Sequence, residues 1–188
     1  MKKYLTLRNV VLCCGALLLL VAFFISFAAK LKLTESGQEG YYNNIIWGCN
    51  SVTSAGKTEG IGQVQAAPLQ LAGLIMIIVG TLGAVVASFV KKPYAKWIVV
   101  GLAVVTLAGS IFQFFAIEGF ARALANTAAA EDGITDKAQI EIVYQLCLSE
   151  LRAGNASAVV STLMGIFGIV GSLGVCASPF LPEKKLFD

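Results

Sequence analysis

Few residues of this chain have side chains suited to chemistry, and their spacing is informative. There are five cysteines and no histidine. The missing imidazole removes the commonest general base and the commonest metal ligand. Cys13, Cys14 and Cys176 fall inside apolar runs, where cysteine is a small packing residue. Cys49, in "YYNNIIWGCNS", and Cys147, in "IVYQLCLSE", each stand alone in a polar segment. No C-x-x-C pair is present to cycle between thiol and disulfide. Gln113 and Glu118 are the polar groups nearest the end of one apolar run. A carboxylate in or near a membrane span marks a possible ion path. "Asn155-Ala156-Ser157" has the acceptor pattern for glycosylation, but it abuts an apolar run where a transferase has little room. None of this makes a catalytic constellation. The expectation is a protein that is not an enzyme and needs neither metal nor cofactor.

The elements that position these residues are read from hydropathy. The 188 residues are 57% hydrophobic and 13% charged, with mean hydropathy +0.78. Soluble domains carry about 25% charged residues. Four runs at 9–29, 68–90, 97–117 and 156–180 contain no Asp, Glu, Lys or Arg. Each has the roughly 20 apolar residues that a helix needs to cross the hydrocarbon core. Backbone groups in lipid must be satisfied within the segment, so these runs are helices. The first follows Lys2, Lys3 and Arg8 like a signal peptide, but it is longer than an ordinary h-region and reads as a retained anchor. The fold expected is an all-α integral membrane protein, one domain over 1–188, built as a four-transmembrane-helix bundle.

Orientation follows the basic residues. Lys2, Lys3 and Arg8, then Lys91, Lys92 and Lys96, then Lys184 and Lys185 alternate onto one side. That side is cytoplasmic, with both termini inside and the loops at 30–67 and 118–155 outside. Tyr94 and Trp97 suit the headgroup level as anchors. The localisation expected is the plasma (cytoplasmic) membrane. A net charge of +3 gives no footprint for nucleic acid.

The two outer loops would form a small cap. Glycines 56, 60 and 62 break up the first, leaving one helical turn or short strand near Tyr41–Trp47. Tyr41, Tyr42 and Trp47 suit the apolar underside of the cap. In the second, the third span is expected to extend through "EGFARALANTAAA". A helix then runs from about 135 to 153, capped by Thr135 or Asp136 and ended by Gly154. Its apolar stripe of Ile140, Ile142, Val143, Leu146 and Cys147 is expected to pack on the first loop or on the span ends. Cys49 and Cys147 are the two cysteines in the oxidising compartment, so a disulfide between them would tie the loops together. Two unpaired or intermolecular thiols are the alternative.

Glycines mark close helix contacts. Gly80 and Gly83 lie in the second span; Gly165, Gly168, Gly171 and Gly174 lie in the fourth. Small residues let helix backbones approach in lipid. These faces serve either packing inside the bundle or docking of another membrane protein.

Four spans with both ends inside, and Trp47-Gly48-Cys49 in the first outer loop, resemble the claudin and peripheral-myelin-protein type of tetraspan. The claudin pattern has further tryptophan and a second cysteine in that loop; here there is one of each. The resemblance implies a β-sheet in the first loop and a structural, paracellular role. The "CCG" of residues 13–15 lies within a span, unlike the tetraspanin signature. The function expected is a structural, accessory or assembly subunit. Its partners would be the lipid bilayer and other membrane proteins or copies of itself. The alternative is a small channel or transporter component with Gln113 and Glu118 near its path.

Overall fold

A computed structural model describes residues 6–28, 30–32, 39–41, 51–54, 57–60, 67–90, 92–153 and 155–182. Side chains are described for 6–27, 67–90, 92–153 and 159–182. The described residues are mostly helical. In chain order they form α1 (Leu7–Ala28), β1 (Lys30–Lys32), β2 (Glu39–Tyr41), β3 (Ser51–Ser54), β4 (Lys57–Gly60), α2 (Pro68–Ser88), α3 (Ala95–Phe114), α4 (Ala116–Glu131), α5 (Lys137–Ala153) and α6 (Asn155–Ala177). A single 3-10 turn, Ser178–Phe180, follows α6.

Four segments are long and apolar enough to cross a membrane: Leu7–Phe27, Pro68–Ser88, Ala95–Phe114 and Val159–Phe180. They indicate an integral membrane protein and lie within a few residues of the apolar runs in the sequence. Their ends follow local chemistry. Thr6 caps α1, its hydroxyl accepting from the Asn9 amide at 3.3 Å. Pro68 opens α2 at the position where its missing N–H costs nothing.

The all-α expectation needs one addition. The segment between α1 and α2 contains a four-stranded antiparallel sheet in the order β1-β2-β3-β4. Lys30 pairs with Tyr41, Glu39 with Thr53, and Ser54 with Lys57. Each connection joins sequence neighbours, so the sheet is a simple meander. One short strand or turn near Tyr41–Trp47 was the expectation. These strands are three or four residues long and rich in Lys, Glu, Ser and Gly, so they lack the apolar alternation that announces a strand. Tyr42, Trp47 and Cys49 lie outside the described residues, and of Tyr41 the backbone alone is described.

The chain divides into two compact units. The first comprises Met1–Phe23, Gly73–Ile111 and Met164–Asp188. In it a buried cluster joins all four apolar helices: Leu12 and Leu19 from α1, Ile77, Ala84 and Ala87 from α2, Val99 and Ala103 from α3, and Val175 from α6. The hydroxyls within it are satisfied locally. Thr81, Ser110 and Ser172 donate to carbonyls one turn back, at 2.6, 2.7 and 2.7 Å. Thr106 and Ser172 hydroxyls meet at 2.9 Å, linking α3 to α6. Such a bond in a membrane is worth roughly 0.6 kcal/mol.

The second unit, Phe24–Ala72 and Phe112–Leu163, contains an antiparallel pair of helices, α4 and α5, packed along their length. α4 continues α3 after a break at Phe115, whose φ of −93° and ψ of 19° lie outside the helical well. The extension spans 16 residues, about 24 Å. Its apolar side is Phe120 with Ala121, Ala123, Ala125 and Ala129, which meets Leu148 and Leu151 of α5. Alanine lets the two helices come close.

The turn between them is specific. Gly133 has φ +66°, and the Ile134 amide donates back to the Ala129 carbonyl at 2.8 Å. That is a left-handed helix stop of the Schellman type. Asp136 then caps α5, accepting from the Ala138 amide at 3.0 Å. Nothing crowds the Cβ position of Gly133, so conformation alone demands glycine. We expect Gly133→Ala to destabilise the hairpin by about 1 kcal/mol. Hydrogen exchange at the last turn of α4 and the first turn of α5 reads this out; unchanged protection there would contradict it.

Candidate interaction site

α5 has two apolar faces. Leu148 and Leu151 are buried against α4, flanked by half-buried Ile140, Val143, Tyr144 and Cys147. Ile142 and Leu146 lie about half a helical turn away. They are 62% and 61% exposed. With Ala138 and the flanks of Glu141 and Gln145 they line a shallow apolar groove. The stripe expected from sequence therefore needs correction. It grouped Ile142 and Leu146 with Ile140, Val143 and Cys147, but the helix divides these between opposite faces. Leu148 and Leu151, omitted from the stripe, form the buried centre. One face of this helix is covered by α4 and the other is open.

Charged groups fix α5 against α4 and leave the groove's floor uncharged. Arg122 on α4 donates to Glu141 at 2.9 Å, and its guanidinium lies 3.8 Å from the centre of the Tyr144 ring. Gln145 donates to the other Glu141 oxygen at 3.1 Å. These two hydrogen bonds hold the Glu141 carboxyl below its ordinary range. A carboxylate with depressed folded pKa contributes stability above its unfolded pKa and loses it as pH falls through the folded value. We expect the N-terminal half of α5 to lose exchange protection as pH drops below the usual glutamate range, and Glu141→Gln to remove that dependence. The second ion pair joins Arg152 to Glu118 at 3.0 Å. Both pairs are solvated, so they orient the two helices more than they stabilise them.

Gln113 and Glu118, the two residues of the expected polar path, take separate partners. Glu118 turns to Arg152 on α5. Gln113 is fully buried and donates to the Gln70 carbonyl of α2 at 3.1 Å. Gln70 returns the contact, its side-chain amide donating to the Phe115 carbonyl at 2.9 Å and the Phe112 carbonyl at 3.4 Å. The two glutamines form a clasp that serves carbonyls at the α3–α4 break. Gln70 Oε1 is buried and accepts no hydrogen bond. It lies against the Cα of Gly119, where any Cβ would collide with the Gln70 amide. The sequence reading found Gln113 but missed Gln70 and Gly119; a lone Gln in the first turn of an apolar span was the available signal. Replacing Gln70 by Leu should remove the second donor of both carbonyls, which also accept from the Phe115 and Gly119 amides, and cost about 1 kcal/mol. Gly119→Ala should mimic it by displacing the amide. Thermal unfolding in detergent checks both; a neutral Gly119→Ala would contradict the clasp.

The remaining sites fall as follows. Cys147 is a free thiol, half-buried on α5, and burial, then the neighbouring Glu150 charge, push its pKa up. The Cys49–Cys147 disulfide is therefore not formed in this structure: Cys147 sits at the edge of the α4 contact, and Cys49 is outside the described residues. Of the Asn155-Ala156-Ser157 pattern the side chains are likewise outside the described residues. Among the described residues no three acidic or cysteine side chains come together as a metal site. Gly80, Gly83, Gly168, Gly171 and Gly174 face other helices of the same unit. A Cβ on Gly80 would lie 2.5 Å from Thr106 Cγ2 and 3.0 Å from the Leu102 carbonyl of α3. Gly83 faces the Leu102 side chain, Gly168 the Ser110 side chain, and Gly171 and Gly174 face α1 at Gly15. Gly165 is buried. A three-residue step turns about −60° around a helix. The series on α6 thus serves two neighbours, α3 first and α1 next.

No family model, no curated protein and no solved structure matches the chain.

Proposed function

We propose that this chain is a non-enzymatic structural or assembly subunit of a membrane complex, and that it holds its partner through the outward face of α5. One observation carries the reading: Ile142 and Leu146 form an uncovered apolar ridge on a helix that also bears Lys137, Glu141, Glu150 and Arg152 and so does not belong in lipid. A contiguous apolar patch in water on a well-packed element marks a binding surface. An amphipathic or apolar segment laid along the ridge is the natural complement. The lysine and arginine bias supports a cytoplasmic placement of both termini in the plasma membrane. That puts the α4–α5 hairpin outside, where the partner is another membrane protein's exposed segment or a second copy of this chain. We extend the proposal to kinship with the claudin and peripheral-myelin-protein type. Four spans and a sheet in the first long loop support it. Purification in mild detergent tests the reading. It should give a stoichiometric complex of defined mass larger than the monomer. A monodisperse monomer that conducts ions in liposomes would overturn it in favour of a channel.

A further inference from the structure

A different surface, at the opposite pole of the sequence's charge pattern, suggests a second partner. The helix ends near Arg8, at the close of α2, at the start of α3 and after α6 all belong to the first compact unit. The buried cluster brings Leu12, Ala87, Val99 and Val175 together, so these ends share one side of that unit. Large aromatic side chains crowd there in exposed positions. Phe89, Tyr94, Trp97 and Phe180 are all more than half exposed. Trp97 and Phe180 stack edge to face, ring centroids 6.4 Å apart, which ties the first turn of α3 to the turn that follows α6. Lys92 and Lys96 are exposed beside them. In sequence the same ends carry eight of the fourteen basic residues and two of the eleven acids.

We propose that this end of the first unit is a collar that binds anionic phospholipid headgroups. The argument is complementarity at two depths. Tryptophan and tyrosine favour the boundary between hydrocarbon and headgroup. Lysines placed at that level meet the phosphate layer. An anionic headgroup adds net negative charge where a zwitterionic one does not, and each lysine near such a surface gains about fivefold in binding. The Trp97–Phe180 stack holds the apolar part of the collar in place, so Lys92 and Lys96 are presented at a fixed height. The occupant is the lipid and not free phosphate, because the aromatic ring needs acyl chains to cover it. The inference does not depend on the partner of α5.

The test is native mass spectrometry of the full-length protein, released from nanodiscs holding equal amounts of phosphatidylglycerol and phosphatidylcholine. Phosphatidylglycerol should be retained preferentially. The double substitution Lys92→Gln and Lys96→Gln should lower that preference about thirtyfold, and Lys92→Arg with Lys96→Arg should keep it. Lys137→Gln, on α5, should leave it unchanged. The single Gln variants, each losing about fivefold, carry the test should the double variant not fold. Equal retention of both lipids, a preference that survives the Gln substitutions, or displacement of the lipid by millimolar inorganic phosphate would each overturn the proposal.

Discussion

Substituting valine for Gly15 is expected to destabilise the first unit by about 3 kcal/mol. The reason is backbone contact. A Cβ on Gly15 would lie 2.8 Å from the Gly171 carbonyl oxygen and 2.9 Å from the Val175 amide of α6. A Cβ on Gly171 would lie 2.8 Å from the Gly15 carbonyl and 2.9 Å from Leu19 Cγ. The contact is reciprocal, and on both sides the obstacle is main chain, which cannot rotate away as a side-chain tip can. The helices must separate, and the dispersion energy of their whole seam falls with distance. Gly83→Ala supplies the contrast. Its Cβ would meet only the mobile end of Leu102, at 3.0 Å, and should cost well under 1 kcal/mol. Thermal unfolding of the two variants and the unmodified chain in one detergent compares them. Equal midpoints for Gly15→Val and the unmodified chain would contradict the α1–α6 seam.

The second large effect concerns binding. The substitutions Ile142→Asp and Leu146→Asp should together weaken capture of the partner by at least a hundredfold, because a central pair of apolar anchors commonly contributes more than 2 kcal/mol and a buried unpaired charge adds to the loss. Neither side chain supports the fold, since both project from α5 away from α4. Helicity and the melting midpoint of the isolated chain should therefore stay unchanged. Leu151→Ala is the matched control. Leu151 is 1% exposed, and shortening it should destabilise the hairpin by about 2–5 kcal/mol. A double aspartate variant that binds normally, or that fails to fold, would remove the ridge from the account.

Much of this architecture was legible from residues alone, for physical reasons. A run without charges such as 97–117 has one stable form in lipid, so all four spans could be placed to within a few residues. The helical continuation beyond the third span followed from its alanines, and the α5 cap from Asp136. The break at Phe115 was not legible, because neither proline nor glycine marks it; the Phe115 carbonyl takes a second donor from Gln70, 45 residues earlier in the chain. The sheet escaped because strands such as Lys57–Gly60 hold no apolar residue to alternate. Glycine positions announced close contact but not its direction. Gly168 and Gly171 are one turn apart in sequence yet serve different helices, and Gly15, their counterpart on α1, carried no signal beside the adjacent cysteines. The α5 stripe failed for a related reason. When both faces of a helix are apolar, spacing alone cannot assign which face is covered.

The central claim is that α5 presents its Ile142–Leu146 face to a partner. A photoreactive side chain placed at position 142 of the full-length protein, irradiated in the native membrane, tests it most directly. The account predicts a crosslink of one discrete mass from position 142 and none from position 148, which faces α4. Crosslinks to lipid alone at 142, or the same product from both positions, would contradict it.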